Sequence, residues 1–221
     1  MRLAGQQAVV IGGARGIGRA LARALVEAGA ETILTDPSPG VAEDFAQTLG
    51  QKGIRWDAAE NAPDVGTPGL VVLAFDPAAP APDALSDMAA TFAAAVEQVV
   101  PLTEAQGGGA LVAVLALPPA PDIWDEARAV WLSSATAALA ARSAPTGVRV
   151  NAVIALMDDA PGLPSFMAAR ATAPPPAVPL AVLPGPRAIA AAALALCGDD
   201  AGAVTGQVLR LDGGRGCGLV S

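Results

Sequence analysis

Val9-Val10-Ile11-Gly12-Gly13-Ala14-Arg15-Gly16-Ile17-Gly18-Arg19-Ala20 is the stretch whose reading decides the fold. An apolar run enters a glycine-rich turn, and the turn opens into a helical pattern of Ile17, Leu21 and Leu25 closed by Gly29. This is the layout of a buried strand, a phosphate-binding loop and a helix N-terminus. Gly12 permits the tight turn, Gly16 leaves no Cβ before a pyrophosphate, and Gly18 lets the helix lie close to the strand. The spacing is G-x-x-x-G-x-G rather than the general G-x-G-x-x-G fingerprint, so the rest of the chain has to supply the context.

That context is a regular alternation of strand and helix. Stretches at Thr32–Thr35, Gly53–Trp56, Leu70–Phe75, Ala110–Leu117, Val148–Ile154 and Val208–Leu211 read as further strands. Continuous apolar runs such as Leu70–Phe75, rather than alternating ones, suit a parallel sheet covered on both faces. Helical stretches fall over Gly40–Leu49, Asp83–Gln106, Asp125–Ser143 and Arg187–Cys197, and Pro161–Pro186 reads as an irregular excursion. The expected fold is α/β: a single doubly wound parallel sheet of the Rossmann type with helices on both faces, one domain over 1–221.

Composition excludes several classes. The net charge of −8, with no basic run, argues against nucleic acid and anionic membranes as partners. No uniformly apolar stretch of about 20 residues suggests a membrane span, and no signal-peptide core precedes the first strand. Two cysteines, Cys197 and Cys217, are too few for a disulfide framework. The expected location is cytoplasmic. The chain has no His, no Tyr and a single Lys, Lys52. Histidine-based acid–base chemistry, Ser-His-Asp triads and histidine metal sites are therefore ruled out, and no metal site is expected.

With three motifs in order, the sequence resembles the short-chain dehydrogenase/reductase family along nearly its whole length. Gly12–Gly18 resembles that family's cofactor loop. Gly147-Val148-Arg149-Val150-Asn151-Ala152-Val153 resembles the strand after its main interface helix, and Thr205–Gly214 its C-terminal strand. The resemblance implies an NAD site in which Gly12, Arg15, Gly16, Ile17 and Gly18 line the cofactor loop. Asp36, 18 residues beyond Gly18, would accept the adenosine ribose hydroxyls, favouring NAD over NADP. Asp57 would contact the adenine ring. The nicotinamide half departs from the pattern. The family's Asn-Asn-Ala-Gly falls on Val72-Leu73-Ala74-Phe75, which puts Phe75 where a glycine is implied, and its Pro-Gly falls near Ala155-Leu156. The chain is also shorter than the family between Phe75 and Asp83 and before Asp125.

The family's chemistry needs a Tyr to exchange a proton, a Lys four residues later to lower that Tyr's pKa, and a Ser to orient the carbonyl. These positions fall here on Asp125, Ala129 and Ala116, and a fourth, an Asn, falls near Met88. No replacement set is evident: Ser133 and Ser134 lie two turns along the helix and read as helix-packing hydroxyls, and Cys197 and Cys217 read as small apolar or surface residues with no base ready to activate them. The helices over 83–106 and 125–143 correspond to the family's subunit interface. They are rich in Ala, with Phe92, Trp131 and Leu132 as candidate anchors. The leading expectation is a catalytically degenerate member that pairs with an active homologous subunit, or with itself, through those helices. Two alternatives stand beside it. One is an NAD-binding sensor or scaffold without turnover. The other is an NAD-dependent oxidoreductase, for instance on hydroxyacyl thioesters, that uses Asp125 as its acid.

Overall fold

In the computed structural model, residues 3–59, 63–76, 81–119, 121–157, 178–180 and 182–217 are described. β1 (Gln7–Ile11), β2 (Glu31–Asp36), β3 (Lys52–Arg55), β4 (Leu70–Phe75), β5 (Gly109–Leu117), β6 (Val148–Leu156) and β7 (Val208–Leu211) form one sheet. Its order is β3-β2-β1-β4-β5-β6-β7, and every pairing is parallel. α1 (Gly16–Glu27), α2 (Val41–Thr48), α3 (Ala81–Gln98), α4 (Val100–Ala105), α5 (Ile123–Ser143) and α6 (Pro186–Cys197) cover it.

Alternation along buried strands divides the core into two layers. Val9, Ile11, Val71 and Leu73 face one layer together with Phe92 of α3 and Leu132 of α5. Ala8, Val10, Leu70 and Val72 face the other with Leu21 of α1 and Ile189 of α6. The doubly wound parallel fold expected from the apolar runs is the observed one.

Boundaries differ where a local signal was overridden. The helix expected over 83–106 is two helices, broken between Gln98 and Val100. Pro101 lies in the first turn of α4, where its missing N–H is harmless; inside a continuous helix it would break the hydrogen-bond ladder. α5 begins at Ile123, two residues ahead of the expected start, because Asp122 caps it. Most of the irregular 161–186 stretch lies outside the described residues. No described helix is long and apolar enough to cross a membrane.

All three expected interface anchors pack within the chain's own core or against it. The rings of Phe92 and Trp131 meet edge to face, with centroids 5.4 Å apart and planes at 86°, locking α3 to α5. Leu132 is fully buried beneath them. The outward face of α5 instead carries Ile123, Trp124 and Val130, exposed by 79%, 42% and 61%, followed by exposed Ser134, Ala137, Ala138 and Ala141.

Cys197 ends α6 in the core. Burial pushes its thiol up to about 12, while the Arg149 guanidinium pulls the other way. That guanidinium also caps the helix end, donating to the carbonyls of Leu196, Cys197 and Gly198 at 2.7, 3.0 and 3.2 Å. With almost no thiolate at neutral pH, Cys197 should resist iodoacetamide in the native chain and alkylate only in denaturant, as read by peptide mass mapping.

Candidate functional site

The strand order reverses between β1 and β4, and in an open parallel sheet the crevice beyond the strand ends at that point is where ligands bind. Two segments border it here. After β1 the chain turns through Gly12 and Gly13 into α1; after β4 it runs from Phe75 into Asp76.

The glycines fit the turn for reasons of packing. A Cβ on Gly12 would lie 2.6 Å from the Ala74 carbonyl oxygen. One on Gly18 would collide with the Gly12 carbonyl oxygen and lie 2.9 Å from the Gly13 Cα. α1 therefore sits against the end of β1 at backbone contact, and its first N–H groups point into the crevice. Arg15 occupies the N-cap position in an extended conformation and makes no side-chain cap. The first turn of α1 holds no acidic residue.

The capping group comes from another strand. Asp76 Oδ1 accepts the Ile17 N–H at 3.0 Å, and a Cβ on Gly16 would land on the Asp76 carboxylate. The space that the missing side chain of Gly16 leaves open is filled by this carboxylate. Burial pushes the Asp76 carboxyl above the ordinary carboxylate range, and the bond from Ile17 pulls it back in part. The folded state thus holds this proton more tightly than the unfolded chain. Its contribution favours the fold at low pH and is lost as pH rises through the folded pKa.

Arg15 and Asp36, expected to line an adenosine site, are likewise turned on each other. Arg15 Nε donates to Asp36 Oδ2 at 2.8 Å, and Arg15 Nη2 donates to Asp36 Oδ1 at 3.3 Å and to Ser38 Oγ at 2.7 Å. The Ser38 N–H adds a 2.8 Å bond to Asp36 Oδ1. Asp36 is 1% exposed, so both of its oxygens are committed within the chain. Arg15 and Asp36, expected on different parts of a cofactor, are bonded to each other. Asp57 lies just past β3, half-buried, and accepts the Ala59 N–H at 3.0 Å. Phe75 packs into the core layer beneath α3 and α5, so the residue that reaches the crevice is Asp76.

The positions onto which the family's catalytic residues were expected to fall are spread over both layers of the core. Ala116 packs into the layer under α1 and α6, whereas Ala129 packs into the opposite layer. Asp125 is buried at the start of α5. Its Oδ2 accepts the Asp122 N–H at 3.0 Å, while Asp122 Oδ1 accepts the N–H groups of Trp124 and Asp125, each at 2.9 Å, closing a reciprocal capping box. The other oxygen, Oδ1, accepts from Nη2 of Arg128, which is itself buried. Met88 is core, and Ser133 Oγ donates to the Ala129 carbonyl at 2.7 Å.

Reasoning from sequence missed Asp76 and Arg128. Arg128 carried a usable signal, an acid and a base at i and i+3 of one helix. Asp76 carried little beyond its place directly after an apolar strand.

Comparison with known proteins agrees with this architecture. A family model described as short chain dehydrogenase matches residues 6–68, and one described as Enoyl-(Acyl carrier protein) reductase matches residues 84–215. Cis-4-hydroxycyclohexanecarboxylate dehydrogenase of Sinomonas cyclohexanicum is 32% identical over 245 aligned residues, covering 94% of this chain and 95% of that one. Among solved structures, an oxidoreductase of the short chain dehydrogenase/reductase family from Burkholderia thailandensis superposes with a TM-score of 0.81 at 25% identity, covering 96% of this chain and 93% of the other. A gluconate 5-dehydrogenase from Burkholderia cenocepacia, in complex with NADP and tartrate, superposes at 0.74 with 22% identity, covering 96% of each. The chain belongs to the short-chain dehydrogenase/reductase family.

Proposed function

We propose that this chain is a catalytically degenerate member of the family, a non-catalytic subunit that pairs with an active short-chain dehydrogenase/reductase through the helical surfaces of 83–106 and 125–143. The observation that carries this reading is the state of Asp125. Where the family resemblance implies a proton-exchanging Tyr, this chain has a carboxylate held by a capping box and a buried arginine. A methyl group, Ala129, stands at the Lys position and another, Ala116, at the Ser position. None of these three positions offers a carbonyl a hydroxyl to give or take its proton. The exposed apolar face of α5 supports the second half of the reading. Ile123, Trp124 and Val130 followed by small residues suit close packing against a partner helix.

A second reading is favoured by the 32% identity to a dehydrogenase along 94% of the chain. In it the protein is an NAD-dependent oxidoreductase acting on a hydroxy acid or hydroxyacyl thioester. One pair of measurements separates the two. Native purification with mass spectrometry should find a co-eluting family member that retains Ser, Tyr and Lys; a self-assembled chain with no such companion overturns the hetero-oligomer. The purified chain, given NAD(H) or NADP(H) with cis-4-hydroxycyclohexanecarboxylate and 3-hydroxyacyl thioesters, should show no turnover above blank. Turnover that is lost in Asp125→Ala overturns the degenerate reading.

A further inference from the structure

The residues at the crevice do not fit a bound dinucleotide, and the misfit is specific. The N-terminus of α1 is an anion seat, because first-turn N–H groups without partners inside the helix and the helix dipole both point there. Gly16 is the residue whose missing side chain keeps that seat open, and the Asp76 carboxylate stands in the opening, bonded to the Ile17 N–H. It arrives from β4, 59 residues away in sequence, across the point where the strand order reverses. Asp76 also puts a carboxylate oxygen 3.0 Å from the Ile17 nitrogen, where a phosphate oxygen using the same N–H would have to sit. At the other end of the adenosine half, Asp36 is taken up by Arg15 and Ser38.

We infer that Asp76 is an internal substitute for the pyrophosphate of a dinucleotide, occupying the cradle of α1 and setting the chain against NAD(P). The inference rests on the family assignment of the Gly12–Gly18 loop and is independent of whether a partner subunit exists. A dinucleotide entering this site has to displace the carboxylate from the helix N-terminus, break its bond to Ile17 and accept its charge nearby. Arg15 cannot offset that charge while it is bonded to Asp36. The fold thereby retains the loop geometry of a cofactor site without needing a cofactor to satisfy its N–H groups.

The test is equilibrium binding of NAD+ and, separately, inorganic pyrophosphate to the full chain and to Asp76→Ala and Asp76→Asn, by calorimetry. Pyrophosphate isolates the cradle from the Arg15–Asp36 pair. Asp76→Ala removes both charge and volume and should tighten both ligands by roughly tenfold or more relative to the wild type. Asp76→Asn removes the charge, keeps the volume and can still accept from Ile17, so it should gain less than Asp76→Ala. It also carries the comparison if Asp76→Ala fails to fold by circular dichroism. Wild-type binding of NAD+ as tight as that of either variant overturns the inference, as does an absence of binding by all three. Because this is binding to the isolated chain, its outcome is separate from co-elution and turnover.

Discussion

Arg128→Ala will destabilise the chain by about 3–5 kcal/mol, a drop in Tm of roughly 10 °C in a chain this size. Arg128 and Asp125 are 3% exposed each, and their side chains pair one helical turn apart. Truncating the arginine leaves the Asp125 carboxylate buried without its cation and opens a void under α5. The pair itself is not a large net source of stability, since two charges had to leave water to form it, and Arg128 Nε has no hydrogen-bond partner among the described residues. Replacing both residues together, Asp125→Leu with Arg128→Met, should therefore recover most of the loss. What remains is about 1 kcal/mol for the broken capping box. Thermal melts of Asp125→Leu, Arg128→Met and the double variant close the cycle, with Arg128→Ala melted alongside them. If Arg128→Ala melts within a degree or two of the wild type, the ion pair is not what fixes Asp125, and the residue regains its claim as an acid.

Gly18→Val will cost about 3 kcal/mol or more and is expected to leave little folded chain. The first atom added meets the Gly12 carbonyl oxygen, which is backbone and cannot rotate away. Relief requires α1 to move off β1, and α1 carries Ile17, Leu21 and Leu25 into the core. Soluble yield and far-UV circular dichroism check this. A well-folded Gly18→Val chain would mean that the close approach of helix and strand is not required. The expected loss involves no cofactor. Gly12 and Gly18 are demanded by the strand-to-helix packing, so their presence says nothing about whether a dinucleotide is bound.

That separation explains what the glycine motif could and could not announce. Gly12, Gly16 and Gly18 identified a strand, a turn and a helix, and those three elements are present. Phe75 looked like a bulky group thrust at a nicotinamide, yet it lies in the core and Asp76 beside it enters the crevice. A strand alternates faces residue by residue, so a shift of one position along β4 exchanges a core side chain for a site side chain. Phe92, Trp131 and Leu132 were legible as large apolar groups on Ala-rich helices, but which face of each helix met the sheet and which met solvent was not. The pairing of Phe92 with Trp131 settled that, leaving Ile123, Trp124 and Val130 outside.

The sequence by itself determined the doubly wound parallel sheet, the place of the glycine-rich turn and the absence of Tyr, His and any Lys but Lys52. These follow from periodicity, turn residues and composition, which act over a few residues or none. Only the tertiary structure decided that Arg15 bonds Asp36 across 21 residues, that Asp76 reaches α1 across 59, and that Arg128 holds Asp125 in the core. The first two join the turn and helix start after β1 to carboxylates at the ends of the neighbouring parallel strands β2 and β4, brought together when the sheet assembles. The third spans one helical turn, but whether that turn is buried depends on what packs over it. No local pattern records such neighbours, and they separate a cradle open to a cofactor from one already filled.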